Sequence, residues 1–202
     1  MPSSEIKHAV QQSARLSDSL HNILANEATL DVRGRFAMAY LNISLDHREA
    51  ILLLISYGAY TSATALHRPL LEAFVTGAWI DGNATDKQIE SIATFNQPPP
   101  KFEKMAQQLR KTHALGKWFE ILREHYGILG DYTHGHGRQL SRWLGPNSVG
   151  PQYKDAQMIE VLWNADIIGL LTAVHREKVS NRPTGQLLQM LEALMYKHEY
   201  PS

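Results

Sequence analysis

Between Ala59 and Ile80 the chain carries only two formal charges, Arg68 and Glu72, while Leu66, Leu70, Leu71, Phe74, Val75, Ala78, Trp79 and Ile80 surround them. A helix that is apolar on nearly every face must be enclosed, by other helices or by lipid. The stretch just before, Ala50 to Leu66, is uncharged throughout yet holds Ser56, Tyr57, Gly58, Tyr60, Thr61, Ser62 and Thr64. A bilayer span requires about 20 predominantly apolar residues, so this stretch predicts a buried core helix and no membrane association. Pro69 has no N–H to donate and its ring crowds the carbonyl four residues earlier, which predicts a kink or a new helix start.

Around this centre, apolar residues recur at helical spacing from Glu5 to Asn26 and from Asp31 to Asn42. Asp46 with Glu49 resembles a capping box ahead of Ile51, so a short break between two helices is expected there. Asp81-Gly82-Asn83 suits a left-handed helix end, Thr85 an N-cap, and Pro98-Pro99-Pro100 a loop. Lys101 to Leu109 and Leu115 to Tyr126 are short amphipathic segments, after which Gly127 and Gly130 break the pattern; Asp155 to Val174 and Pro183 to His198 read as two closing helices. No sustained strand-like alternation and no repeat period is present. The expectation is all-α: one helical-bundle domain over 1–202 with about seven or eight helices, the Pro98–Pro100 loop and the 130–153 loop being internal to it.

Composition narrows the function classes. Lys plus Arg equals Asp plus Glu at 20 each, which removes the global basic field that gathers nucleic acid or anionic lipid; no DNA-binding motif occurs. Without cysteine there are no disulfides, thiolate nucleophiles or Cys-ligated zinc. The opening MPSSEIKHAVQQSARLSDSL lacks the basic end, apolar run and cleavage site of a secretory signal, and the cytoplasm is the expected compartment. No G-x-S-x-G, Walker or G-x-G-x-x-G loop occurs, which disfavours serine hydrolases, P-loop NTPases and Rossmann enzymes; no cofactor is expected.

Two clusters hold candidate chemistry. Arg68 and Glu72 stand four apart on one helix face, with Arg first, the weaker order for an isolated pair. Charges in so apolar a helix need partners or a ligand, and both a structural network and a ligand contact fit. The second cluster is Asp131, Tyr132, His134, His136, Arg138 and Arg142 in a glycine-rich segment. Imidazoles titrate near neutral pH, so His134 is a candidate proton-transfer group, with Asp131 or Glu72 orienting it. Arg68, Arg138 and Arg142, with backbone N–H groups at the glycines, suit phosphate; Tyr132, His136 and His47 complete the candidate ligand-binding set. Read as metal ligands, Asp131, His134 and His136 with His47 or Glu72 match no zinc signature, and no metal site is assigned. A plain polar turn accounts for the same residues, and His47 also suits a solvated first helical turn.

The segment LHRPLLEAFVTGAWI (66–80), followed by LGDYTHGHGRQLSR (129–142), resembles an uncharacterised family of bacterial all-helical proteins that looks like a relative of the HEPN superfamily. HEPN proteins are helical bundles, often dimeric, that include toxin, phage-defence and RNA-cleaving members. The resemblance spans roughly residues 40 to 175 and falls on Arg68, Glu72, Tyr132, His134 and Gly135. It implies a HEPN-like bundle, a homodimer, RNA or a nucleotide as ligand, and a bacterial stress or phage-defence role. The Arg-then-His spacing of HEPN ribonucleases is met only by Arg15 and His21, in the first segment. Whether the chain is an enzyme therefore stays open. A ribonuclease-like or metal-assisted hydrolase stands against a non-catalytic dimeric interaction protein with a structural Arg68/Glu72/His134 network.

Overall fold

The computed structural model describes residues 2–25, 28–113, 116–133 and 137–199. These form nine helices among the described residues: α1 (Ser4–Leu24), α2 (Val32–Ser56), α3 (Tyr60–Gly82), α4 (Asp86–Ala93), α5 (Phe102–Thr112), α6 (Gly116–Thr133), α7 (Gly137–Ser141), α8 (Asp155–Val179) and α9 (Gly185–Glu199). Bridging between extended segments is confined, among the described residues, to the isolated pair Leu144–Val149. The protein is all-α; only the five-residue α7 takes it past eight helices.

Two expected breaks, and the new helix start that was one of two expectations at Pro69, are absent. Asp31 caps α2 by accepting from the Gly34 N–H at 2.7 Å, and the helix then runs unbroken through Asp46 and Glu49. Its buried face is Leu41, Ser44, Arg48, Ile51, Leu52 and Ile55, three and four apart, and packing of that stripe on α3 and α8 outweighs the local start signal. Ala50 to Leu66 is accordingly not one core helix: it straddles the turn at Tyr57–Ala59 that separates α2 from α3.

Pro69 lies inside α3 rather than at its start. The carbonyl that its missing N–H would have satisfied is that of Ala65, and the Thr133 hydroxyl from α6 approaches this oxygen at 3.2 Å while also reaching Leu129 O at 3.1 Å. A side chain from a neighbouring helix thus stands in for the absent backbone donor, as buried carbonyls require.

The second break, at Gly127 and Gly130, is also missing: α6 continues through both to Thr133. A Cβ built on Gly130 would sit 2.7 Å from Arg68 Nη1, so this glycine leaves room for the guanidinium and makes no turn. Asp131 and Tyr132, expected in a turn, are helical and half-buried. Thr85 does form a capping box with Gln88, whereas Asn83 ends α3 with φ −134°, not in the left-handed region.

α2 and α8 flank α3; α5 and α6 cover α3 on another side, and α1 and α9 lie on α8. At the α2–α3 crossing, a Cβ on Gly77 would meet Leu41 Cγ at 2.9 Å and the Ala37 carbonyl at 3.1 Å, so the two backbones approach as closely as they do only because that side chain is absent. Leu41, Leu70, Phe74, Trp79, Leu109, Phe119, Leu162, Leu171 and Leu187 belong to one continuous buried cluster drawn from α2, α3, α5, α6, α8 and α9. Among the described residues one helix, α8, is long and apolar enough to cross a membrane, and most of its apolar stretch is buried within the protein.

Candidate functional site

α3 delivers Arg68 and Glu72 side by side, as their spacing requires, and α6 brings Tyr126 onto both. Arg68 Nε donates to Glu72 Oε1 at 2.9 Å, Arg68 Nη2 donates to the Tyr126 hydroxyl at 2.6 Å, and that hydroxyl donates to Glu72 Oε1 at 2.6 Å. The guanidinium also lies over the Tyr126 ring, 4.5 Å from its centroid, a cation–π arrangement. Phe102 of α5 stacks on the ring at 3.8 Å between centroids. Burial pushes the Tyr126 phenol up to about 12, helped by the adjacent Glu72 carboxylate, so it stays a donor at neutral pH. Burial opposes the Arg68 charge, but Glu72 and Tyr126 outweigh it and raise its pKa.

The clasp faces a cleft of about 700 Å3 between α2, α3, α5 and α6 and the proline loop. His47 and Tyr40 enter from α2, Arg68 and Glu72 from α3, Tyr126 from α6, and Pro99, Pro100 and Lys101 from the loop. Two helices therefore bring His47 to the Arg68/Glu72 pair, from which the sequence had nominated it apart. Burial lowers the His47 pKa, partly offset by Asp46, which keeps the imidazole neutral at pH 7, with one donor and one acceptor nitrogen. Glu72 Oε1 takes both hydrogen bonds, and Oε2 takes none among the described residues.

The remaining nominated residues divide. His134, Gly135, His136 and the side chain of Arg138 lie outside the described residues. Asp131 and Tyr132 occupy the last turn of α6 and are not among the cleft-lining side chains. Arg142 turns instead to α8, donating to Gln157 Oε1 at 2.9 Å. The two motifs do meet, at Gly130 against Arg68, and Thr133 reaches the Ala65 carbonyl just ahead of the first motif. Among the described residues no three His, Asp or Glu side chains are placed to hold a metal.

Sequence reasoning missed Tyr126, whose partners lie 54 and 58 residues away, and it missed two buried polar networks. Arg48, fully buried, donates from Nε and Nη2 to Asp166 Oδ1 at 2.9 and 2.5 Å, from Nη2 to the Ser13 carbonyl at 2.8 Å, and from Nη1 to Glu49 Oε1 at 2.6 Å; Ser17 Oγ also contacts Nη1. Ser13 Oγ adds a bond to Asp166 Oδ1 at 2.7 Å. Burial raises the Asp166 pKa, and Arg48 works against that rise. In the second network His113 Nε2 and His175 Nδ1 are 3.1 Å apart, and His175 Nε2 lies 3.1 Å from Asp81 Oδ2 without hydrogen-bond alignment. The His175 contact holds Asp81 below the usual carboxylate range, and burial pushes His113 down to about 4. The available signal for Arg48 was its place in the 41-44-48-51-55 stripe of α2.

Neither a curated protein nor a solved structure matches the chain. A family model matches residues 41–199, from the middle of α2 to the end of α9, and the chain therefore belongs to DUF6988, a family of unknown function.

Proposed function

We propose that this is a HEPN-like bacterial helical module, cytoplasmic and serving a stress or phage-defence role, that binds a nucleotide or the unpaired bases of an RNA strand in the His47/Glu72/Lys101 cleft without cutting it. The observation that carries the reading is the convergence of those three side chains with the flat faces of Tyr40, Pro99 and Pro100 in one cleft. An unpaired base needs apolar planes for stacking and a polar edge to read. Glu72 Oε2 supplies an acceptor for base N–H groups, neutral His47 supplies a donor and an acceptor, and exposed Lys101 supplies a cation for phosphate. Arg68 is not a phosphate ligand in this reading, because Glu72 and Tyr126 already engage it; it holds the carboxylate in place. Strand cleavage is left out because Arg15, of the pair with ribonuclease spacing, lines a different groove, with Trp163, Asp166 and Leu194.

That same engagement of Arg68 supports a second reading, a non-catalytic interaction protein in which the clasp only ties α3 to α6. Titration calorimetry at low salt with the four ribonucleoside monophosphates and a short single-stranded RNA separates the two. Binding is expected for at least one of them, weakened about fivefold to tenfold by Lys101→Ala with no change in melting temperature, as for loss of one charge-assisted contact. No heat from any of these probes up to millimolar concentration, together with a lowered melting temperature for Glu72→Gln, leaves the purely structural reading standing.

A further inference from the structure

α1 and α9 both lie on α8 and leave between them an open groove of about 550 Å3, inside the range of about 300–1,000 Å3 common for small-molecule sites. Its walls are apolar: Leu16 of α1, Ile159 and Trp163 of α8, and Met190 and Leu194 of α9. Two charged side chains interrupt them, buried Asp166 and exposed Arg15. Asp166 is only 6% exposed. Its Oδ1 accepts from Ser13 and twice from Arg48, while Oδ2 accepts nothing among the described residues. Nor is Oδ2 walled in: among the described residues, the side-chain atoms both fully enclosed and without a partner are His67 Nε2 and His175 Nε2. The space that Oδ2 reaches is the groove, which Asp166 lines. One arginine does not offset the burial of this carboxylate, whose pKa stays above the ordinary value, and a second donor at Oδ2 would lower it.

A purely structural tie has no use for that oxygen. An apolar pair of similar volume often joins helices as well as a buried ion pair does, but it presents no acceptor to a groove. Arg15 is the complement of Asp166: its guanidinium is exposed and makes no hydrogen bond or ion pair among the described residues. It stands two residues, about 3 Å of helix rise, beyond Ser13, whose hydroxyl bonds Asp166 at 2.7 Å. An anionic pole on the floor and a cationic pole at the rim therefore lie at nearly the same level, with apolar walls around them. We propose that the groove binds a free α-amino acid with an apolar side chain. Its ammonium donates to Asp166 Oδ2, Arg15 donates to its carboxylate, and its side chain lies against Trp163, Met190 and Leu194. An apolar anion would leave the Asp166 oxygen facing carbon, and an apolar amine would leave Arg15 unanswered. The groove shares no residue with the His47/Glu72/Lys101 cleft, so the proposal stands apart from the nucleotide reading.

Methyl-resolved NMR of the full chain titrated with L-leucine, L-methionine and L-phenylalanine tests this, with Met190 and Leu194 as reporters. Saturable shifts of both are expected with at least one of the three, at up to about 10 mM. The N-acetyl derivative, which lacks the ammonium, and the decarboxylated amine, which lacks the carboxylate, should each bind at least about tenfold more weakly, as for loss of a charge-assisted hydrogen bond. Arg15→Ala is expected to weaken the amino acid about tenfold while leaving the affinity for the amine unchanged or higher; a role in folding alone would not tell the two ligands apart. Ala193→Trp, from an exposed position on the groove's edge, should fill the groove and abolish binding without lowering the melting temperature. No saturable shift with any of the three, an N-acetyl derivative that binds as tightly as the amino acid, or an Arg15→Ala chain that keeps full affinity for the amino acid or loses affinity for both ligands alike, each overturns the proposal.

Discussion

Arg48→Ala is expected to lower the unfolding free energy by about 3–5 kcal/mol, the range for removing one partner of a buried ion pair. The guanidinium is fully enclosed and takes part in bonds to Asp166, Glu49, Ser13 and Ser17. Deleting it strands a carboxylate that is only 8% exposed. The loss comes chiefly from that stranded charge rather than from the intrinsic worth of the pair, so Arg48→Met combined with Asp166→Leu should be more stable than Arg48→Ala. Urea denaturation of the three proteins measures this, and a loss below about 1 kcal/mol for Arg48→Ala would assign the network the weight of a surface pair. Because Ser13 and Ser17 sit on α1, the same substitution should also loosen α1 before the rest unfolds.

Acid should destabilise the protein well before its carboxylates titrate. Burial pushes His67 down to about 4, opposed weakly by the Val161 backbone, and its Nε2 has no hydrogen-bond partner among the described residues. The folded pKa lies below the unfolded value near 6.5. Above that pH both states are neutral and the group contributes nothing. As pH falls below about 6.5 the unfolded chain takes up the proton and the folded chain does not, so stability drops until about pH 4. The full difference amounts to roughly 3 kcal/mol. His113, also pushed down to about 4, acts with the same sign. Asp81, whose pKa is lowered, adds its own loss only as pH falls below the ordinary carboxylate value near 3.9. His67→Leu should flatten the decline between pH 6.5 and 4 while changing stability little at pH 7.5. Equal pH dependence in the two proteins would show that His67 is not the sensor.

The helices were legible wherever an apolar stripe ran long enough to be read, as in α1, α8 and α9. The errors share one cause: local punctuation was given more weight than the packing that overrides it. Pro69 does not end α3 because Thr133 supplies a donor to Ala65. Gly130 stays within α6, beside the Arg68 guanidinium. Asp46 and Glu49 do not start a helix because the stripe holding Arg48 continues through them. The candidate site was half legible. Two charges in an apolar helix marked Arg68 and Glu72 correctly as residues that must meet something, but nothing local in the sequence named Tyr126 as what they meet. His47 was expected at a helix start but lies in the middle of α2, and from there it lines the same cleft. The histidine dyad joins His113, just after α5, to His175 of α8, 62 residues apart in sequence, a pairing that no spacing rule reaches.

Methyl-resolved NMR during titration with the tightest-binding ribonucleoside monophosphate is the most direct test of the ligand cleft. Ile43, Ala73 and Met105 line it, whereas Met190 and Leu194 line the separate groove between α1, α8 and α9. The expected result is saturable shifts of the first three methyl-bearing residues with the latter two unmoved. Shifts confined to Met190 and Leu194, or no saturable shift at any of the five, would contradict binding in the His47/Glu72/Lys101 cleft.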